Sequence, residues 1–206
     1  MRTAPRVGLV LFDFDGVLAR YSRAVRLRAL AEAAGCSTLQ ASAALLESGL
    51  ERAYDSGTLD TPAYLARLGD GLGAPIDATT WIDARVAATQ ADAGAIVMVQ
   101  TLAARMPIGV VTNNGPLIRQ AIPRIVPTLF PMLEGRVLCS GALGVRKPQR
   151  AIFERALAHF GAKAHETLFL DDLFVNVRGA RAAGLHADTV VDARSMRKVL
   201  RRYGLG

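Results

Sequence analysis

The apolar positions of this chain fall into two rhythms. Residues 7–12, VGLVLF, form an apolar run of strand length, the pattern of a parallel strand buried on both faces. From Ser22 to about Gln90 only helical spacing follows. It predicts helices over Arg23–Ala34, closed by Gly35, over Thr38–Glu47, from the stretch DTPAYLARL onward, and from about Thr79 to Ala91. In the third, Asp60 or Thr61 can cap the helix and Pro62 suits its first turn.

Beyond Ala91 strands return. A helix from about Ala95 to Arg105 leads into PIGVVTNNG, whose strand ends at Thr112. A helix punctuated by Pro116, Pro123 and Pro127 comes next. RVLCS predicts a strand over Arg136–Ser140, and Gln149–His159 a helix. TLFLDD reads as a strand ending in Asp171 and Asp172, NVRGARAAG as a helix, and HADTVV as a last strand. Such alternation implies an α/β fold, a parallel sheet with helices on both faces. The all-helical stretch interrupts it. The expected division is an α/β core made of residues 1–18 and 92–206, with residues 19–91 as an inserted helical unit.

Composition supports this picture. The chain has 206 residues, 51% of them hydrophobic and only 6% aromatic. That favours helices packed on a sheet over an all-β fold, with room for one sizeable core. No apolar run reaches the ~18 residues of a membrane span, and the run at residues 7–12 is too short for a signal peptide's apolar region. A cytoplasmic protein without a membrane partner is the expectation. The two cysteines, Cys36 and Cys139, lack metal-like spacing and are read as unpaired thiols.

The net charge is +7, compatible with nucleic acid or with small phosphorylated substrates. One basic cluster is local: Arg194, Arg197, Lys198, Arg201 and Arg202 follow a helical period, with Met196, Val199, Leu200 and Tyr203 opposite. A solvated face of an amphipathic terminal helix explains that pattern better than a nucleic-acid contact.

The chemistry sits where the strands end. In open α/β sheets, ligands bind beyond the carboxyl ends of the strands. The first strand delivers Asp13 and Asp15, the next Thr112, Asn113 and Asn114, the third leads to Arg146 and Lys147, and the fourth ends in Asp171 and Asp172. Each alone has an ordinary structural explanation. A Thr-Asn pair is a common turn, and an Asp-Asp pair is often a helix N-cap. Their joint placement is harder to explain structurally, because buried carboxylates are costly unless something compensates them.

The motifs DFDGVL, VVTNN, GVRKP and LFLDD, in this order, resemble the signature of the haloacid dehalogenase-like (HAD) superfamily. The resemblance spans the sheet residues from 7 to about 190. It implies a Rossmann-like core with a small helical cap, and it looks nearest to bacterial sugar-phosphate phosphatases of the α-glucose-1-phosphate phosphatase-like branch. By that resemblance Asp13 is the nucleophile that forms an aspartyl-phosphate, and Asp15 the general acid and base. Thr112 and the Asn113 backbone bind phosphate, and Lys147 neutralises charge on phosphate and on Asp13. Asp171 and Asp172 complete a Mg²⁺ site with the Asp13 carboxylate and the Asp15 carbonyl. Either acid of the pair can be the direct ligand. Asn176 either orients that pair or is simply a polar helix residue.

Asp15 bears on the reaction. A halide leaves without a proton, whereas the alkoxide of a phosphate ester needs one. The implied activity is hydrolysis of a phosphate monoester of a small metabolite. A phosphomutase is the enzymatic alternative, and a non-catalytic HAD-like binding protein a further one. A Schiff-base phosphonatase is disfavoured, since residues 19–91 contain no lysine. Within that stretch Arg20 and Tyr21 are the candidate contacts to a leaving group. The same stretch also offers Arg23, Arg26, Tyr54 and Trp81 to a substrate; the alternative for the arginines is an exposed helix face, and packing is the better explanation of Tyr54 and Trp81. Monomer and homodimer both stay open.

Overall fold

The computed structural model describes residues 6–206. In chain order the elements are β1 Leu9–Phe12, β2 Ala19–Tyr21, α1 Arg23–Ala34, α2 Thr38–Ser42, α3 Leu50–Asp55, α4 Thr61–Leu72, α5 Ala78–Ala87 and β3 Thr89–Ala91. Then follow α6 Ala93–Ala103, β4 Ile108–Thr112, α7 Ile118–Ile125, β5 Val137–Cys139, α8 Ser140–Leu143, α9 Arg150–Phe160, β6 Thr167–Asp171, α10 Phe174–Ala182, β7 His186–Thr189 and α11 Ala193–Arg202.

Five strands form one parallel sheet in the order β5-β4-β1-β6-β7. β1 is central, and all four of its residues are buried. Its side chains alternate between two cores, as the period of a strand requires. Val10 and Phe12 pack with Val99, Ile118, Ile122 and Met196 from α6, α7 and α11. Leu9 and Leu11 pack with Ile152, Phe153 and Val177 from α9 and α10. Each large side chain so buried contributes roughly 1.5–3 kcal/mol. Together they fix the strand ends that carry the polar residues. The apolar side of α11 (Met196, Val199, Leu200) faces the first core, which leaves its arginines to solvent.

The helices α1–α5 form a compact unit between β1 and α6. Several local signals match the sequence reading. Ser22 caps α1 and Gly35 ends it, while Asp60 caps α4 with Pro62 in its first turn. Two features differ. The helix expected to reach Ala91 stops at Ala87, and Thr89–Ala91 pairs antiparallel with Ala19–Tyr21. The Thr89 hydroxyl donates to the Arg85 carbonyl at 2.7 Å and so closes the helix end. A three-residue strand is too short to show alternation, which hides it in the sequence. The second difference lies in Thr38–Glu47, whose last five residues wind as a π-helix before a further short helix, α3. Among the described residues, no helix is long and apolar enough to cross a membrane. Cys36 and Cys139 are both free thiols.

Candidate active site

The sheet's carboxyl edge assembles a small, dense ionic cluster. β1 ends at Phe12, and Asp13 continues the strand line by donating its N–H to the Leu170 carbonyl at 2.8 Å. The Asp13 side chain turns into the cluster, with Oδ1 accepting from the Phe14 N–H at 2.7 Å. The chain then bends sharply. Gly16 has φ 83°, and a Cβ there would collide with the Asp172 carboxylate. Only glycine tolerates both that backbone and that approach.

Lys147 holds the centre. Its ammonium is buried and lies 2.8 Å from Asp13 Oδ1 and 2.7 Å from Asp171 Oδ2. The lysine backbone is clamped to β4's end by two reciprocal bonds. Lys147 N–H donates to Asn113 Oδ1 at 2.9 Å, and Asn113 Nδ2 donates to the Lys147 carbonyl at 3.0 Å. Asp171 is fully buried at the end of β6. It also accepts from the Leu173 N–H at 2.8 Å and from Asn176 Nδ2 at 3.0 and 3.1 Å. Asn176 thus faces Asp171 and not the whole pair.

Carboxylate oxygens of Asp13, Asp171 and Asp172 lie within 4.8 Å of one another. One ammonium stands against these acids, so the cluster carries an excess of negative charge. Burial pushes the Asp13 carboxyl up to about 7; Lys147 opposes that rise and Asp171 adds to it. Burial also raises Asp172, with the Asp171 charge adding to it. Hard oxygen donors with surplus negative charge suit a small divalent cation. Asp15 is not part of this group. Its carboxylate turns away and pairs with Arg85 of α5, whose NH2 lies 2.6 Å from both oxygens. Asn114 Nδ2 donates to Asp15 Oδ2 at 3.1 Å and to Thr112 Oγ1 at 2.8 Å.

Above the cluster opens a cleft of about 770 Å³ between the strand ends and the helical unit. Asp15, Asn113, Asn114 and Lys147 line its floor, and Tyr21, Arg26, Glu51 and Asp55 one wall. Tyr21 therefore reaches the cleft. Arg20 does not line it; its exposed side chain lies 3.7 Å from Asp92 instead, because Arg20 and Tyr21 point to opposite sides of β2. Arg26 is not the solvent-facing residue expected of α1. It is buried, stacks 4.8 Å over Trp81, and pairs with Glu51. Tyr54 and Trp81 are packing residues, 1% and 2% exposed. Asp55 sits four residues after Glu51 on the same face of α3; burial pushes its carboxyl up to about 7, and the Glu51 charge adds to this.

Sequence reasoning missed Arg85, Glu51 and Asp55. Arg85 did leave a signal. Trp81, Ile82, Arg85 and Ala88 share one buried helical face, and a charge at a core position needs an acid to meet it.

A parallel α/β sheet with a carboxylate–ammonium cluster at its strand ends defines the class: an enzyme fold with a polar site at the sheet's carboxyl edge. The family model for haloacid dehalogenase-like hydrolases matches residues 7–184, and the chain belongs to that family. A predicted HAD-like family hydrolase from Porphyromonas gingivalis shares the fold at TM-score 0.76 and 24% identity, over 95% of this chain and 98% of that one. A HAD family enzyme of Bacteroides thetaiotaomicron, in complex with magnesium and inorganic phosphate, matches at TM-score 0.73 and 16% identity, over 89% and 93%. The L-2-haloacid dehalogenase of Xanthobacter autotrophicus matches at 0.62 and 19%, over 97% and 84%. At these identities the likeness is one of fold. No curated protein matches the chain.

Proposed function

We propose that this HAD-like hydrolase cleaves a phosphate monoester of a small polar metabolite, a sugar phosphate being the best fit. The observation that carries this reading is the pairing of two differently placed acids. Asp13 lies in the ionic cluster with Lys147 2.8 Å away, while Asp15 stands outside it on the cleft floor. One acid is placed to attack, the other to move a proton.

Asp13 attacks phosphorus and forms an aspartyl-phosphate. Phe14 N–H and Lys147 fix the direction of its carboxylate. Asp15 gives a proton to the departing alkoxide and then takes one from the hydrolytic water. Thr112 and the Asn113 backbone receive the phosphate oxygens, and Lys147 balances their charge. A bound Mg²⁺ would neutralise phosphate charge in this mostly electrostatic reaction. Asp13 and Asp172 are the residues to hold it directly. Asp171 already accepts four hydrogen-bond contacts, from Lys147, Leu173 and Asn176. That fills a carboxylate's roughly four lone-pair positions, so Asp171 positions Lys147 instead. The Bacteroides relative's complex with magnesium and phosphate supports the pairing of these two ligands in one site.

The helical unit acts as a cap. Its wall offers Glu51, Asp55 and the Tyr21 hydroxyl, acceptors and donors that suit a polyhydroxylated leaving group. The similarity to a haloacid dehalogenase favours a second reading, halide displacement. Asp15 weighs against it, since a departing halide needs no proton. The test is phosphate release from sugar phosphates, nucleotides and p-nitrophenyl phosphate, with Mg²⁺ or EDTA, and halide release from 2-haloacids. Metal-dependent phosphate release supports the reading. Halide release alone overturns it, and transfer of phosphate to a second sugar hydroxyl without release makes the protein a mutase.

A further inference from the structure

A buried ion pair joins the catalytic loop to the helical unit. Arg85 on α5 is 1% exposed, although it lies 70 residues from Asp15 in sequence. Its NH2 reaches both Asp15 oxygens at 2.6 Å. Its NH1 donates to Thr89 Oγ1 at 2.6 Å, and its guanidinium stacks 4.1 Å over the Tyr21 ring. Thr89 and Tyr21 face each other across the β2–β3 pair that joins the helical unit to the sheet. The arginine thus grips the acid with one end and the two connecting strands with the other. The grip leaves a donor orphaned, for the buried Arg85 Nε has no hydrogen-bond partner among the described residues. An unsatisfied buried donor costs about 1–3 kcal/mol, and a buried ion pair is in general weak evidence for stability. Stability is therefore a poor explanation for this contact.

The acceptor count of Asp15 supplies a better one. Oδ2 takes Arg85 and Asn114; Oδ1 takes Arg85 alone. A carboxylate offers roughly four lone-pair positions, two per oxygen. The position left open is on Oδ1.

We propose that Arg85 is a positioning residue: it presents Asp15 Oδ1 as the atom that hands a proton to the leaving group, and it ties that presentation to the stance of the helical unit. This rests on the phosphatase reading above. Asp15 enters this step protonated on Oδ1; that proton travels to the bridging ester oxygen as the phosphorus–oxygen bond breaks, and Arg85 holds the carboxylate left behind. In the second half the same oxygen takes a proton from the water that attacks the aspartyl-phosphate. A lysine at position 85 keeps the charge but cannot span both oxygens, reach Thr89 and stack on Tyr21 at once.

The experiment is a leaving-group series on the full chain with Mg²⁺: an alkyl phosphate, phenyl phosphate, and aryl phosphates with progressively better leaving groups. Wild type is compared with Arg85→Lys, Arg85→Gln and Thr89→Val, the last removing the arginine's anchor together with the Thr89 hydroxyl's bond to the Arg85 carbonyl, with Asp15, Asn114 and the guanidinium left in place. General acid catalysis is typically worth ~10²–10⁴-fold. Arg85→Lys is expected to lower kcat for the alkyl phosphate about 30-fold, and that for the most activated aryl phosphate no more than about 3-fold. Thr89→Val should tilt the series the same way by a smaller factor. Parallel loss across the series, or no loss, overturns the proposal, because a merely structural arginine has no leaving-group preference. Should the Arg85 variants fail to fold by circular dichroism, the tilt or its absence in Thr89→Val decides. Failure of wild type to release phosphate from any member would overturn the phosphatase reading and this inference with it. Release by wild type with an untilted series overturns this inference alone.

Discussion

Two ionic networks face each other across the cleft, and they are built on opposite principles. At the strand ends, Asp13, Asp171 and Asp172 crowd around one ammonium. Acids outnumber bases there, and the imbalance invites a cation. On the helical side two buried arginines each meet one acid: Arg26 pairs with Glu51, and Arg85 reaches across to Asp15 on the cleft floor. Each arginine also lies over an aromatic ring, Trp81 or Tyr21. Asp55, on the same wall, forms no ion pair among the described residues. The difference teaches how labour divides in the cleft. An unbalanced cluster stores electrostatic potential for a reaction that moves charge. Paired charges hold a wall in shape and add little field.

Removing the proposed nucleophile tests the unbalanced side most severely. Asp13→Asn is expected to cut turnover by roughly 10⁴-fold or more, with the circular dichroism spectrum unchanged. A variant that retains wild-type turnover would remove the covalent mechanism. Lys147→Ala should come next. It leaves Asp13 and Asp171 facing each other without the shared cation. Losing one partner of such a buried group costs about 3–5 kcal/mol of stability. The accompanying fall in kcat should be about 10²–10³-fold, read by steady-state kinetics alongside thermal melts. If stability and rate both hold, the cluster is not the charge centre described here.

The two networks also differ in how legible they are in the sequence. The strand-end acids are adjacent to apolar runs that a strand period explains, so Asp13, Asp15, Asp171 and Asp172 stand out as charges where a core ends. Parallel pairing then brings β1, β4 and β6 together, and with them residues up to 158 positions apart (Asp13 and Asp171). The wall has no such grammar. Arg26, Glu51 and Asp55 come from α1 and α3, and nothing local in their windows announces a shared cavity; Arg85 of α5 shows only as a charge on an apolar helix face. Helix-to-helix packing decides which of their faces meets the cleft. Arg20 and Tyr21 show the limit from the other side. They are neighbours on a strand too short to be recognised, so period two could not be applied to separate the inward residue from the outward one.

A prediction on the wall follows from its one unmatched acid. Asp55→Asn should raise KM for a sugar phosphate about 10-fold, which is about 1.4 kcal/mol, and leave p-nitrophenyl phosphate almost unaffected. The amide keeps the size but halves the acceptor capacity that hydroxyls would use. Equal KM values for both substrates in wild type and variant would show that the leaving group does not touch α3.

The last effect is thermodynamic, no larger than the preceding one, and it separates the two networks most cleanly. The Asp13 carboxyl lies near 7 in the fold against 3.8 for an ordinary aspartate, with burial as the main cause. A raised acid in the folded state means that the folded protein holds its proton more tightly than the unfolded chain. Stability from this group is therefore full below about pH 4 and falls as pH rises towards and through 7. Mg²⁺ competes with that proton and binds the ionised carboxylate, so its stabilisation should grow over the same window. At about ten times its dissociation constant a ligand adds roughly 1.4 kcal/mol, or a few degrees in Tm for a chain of this size. Melts with and without Mg²⁺ should therefore differ more at pH 8 than at pH 5. Asp13→Asn should melt higher than wild type at pH 8 in EDTA, and lose most of the Mg²⁺ increment. Asp55 also lies near 7, so the wild-type curve alone mixes the two sides of the cleft. The difference between wild type and Asp13→Asn isolates the strand-end cluster. A Mg²⁺ increment that is flat with pH, or one that survives Asp13→Asn intact, would place the cation outside that cluster and make the surplus of negative charge there a feature without a ligand.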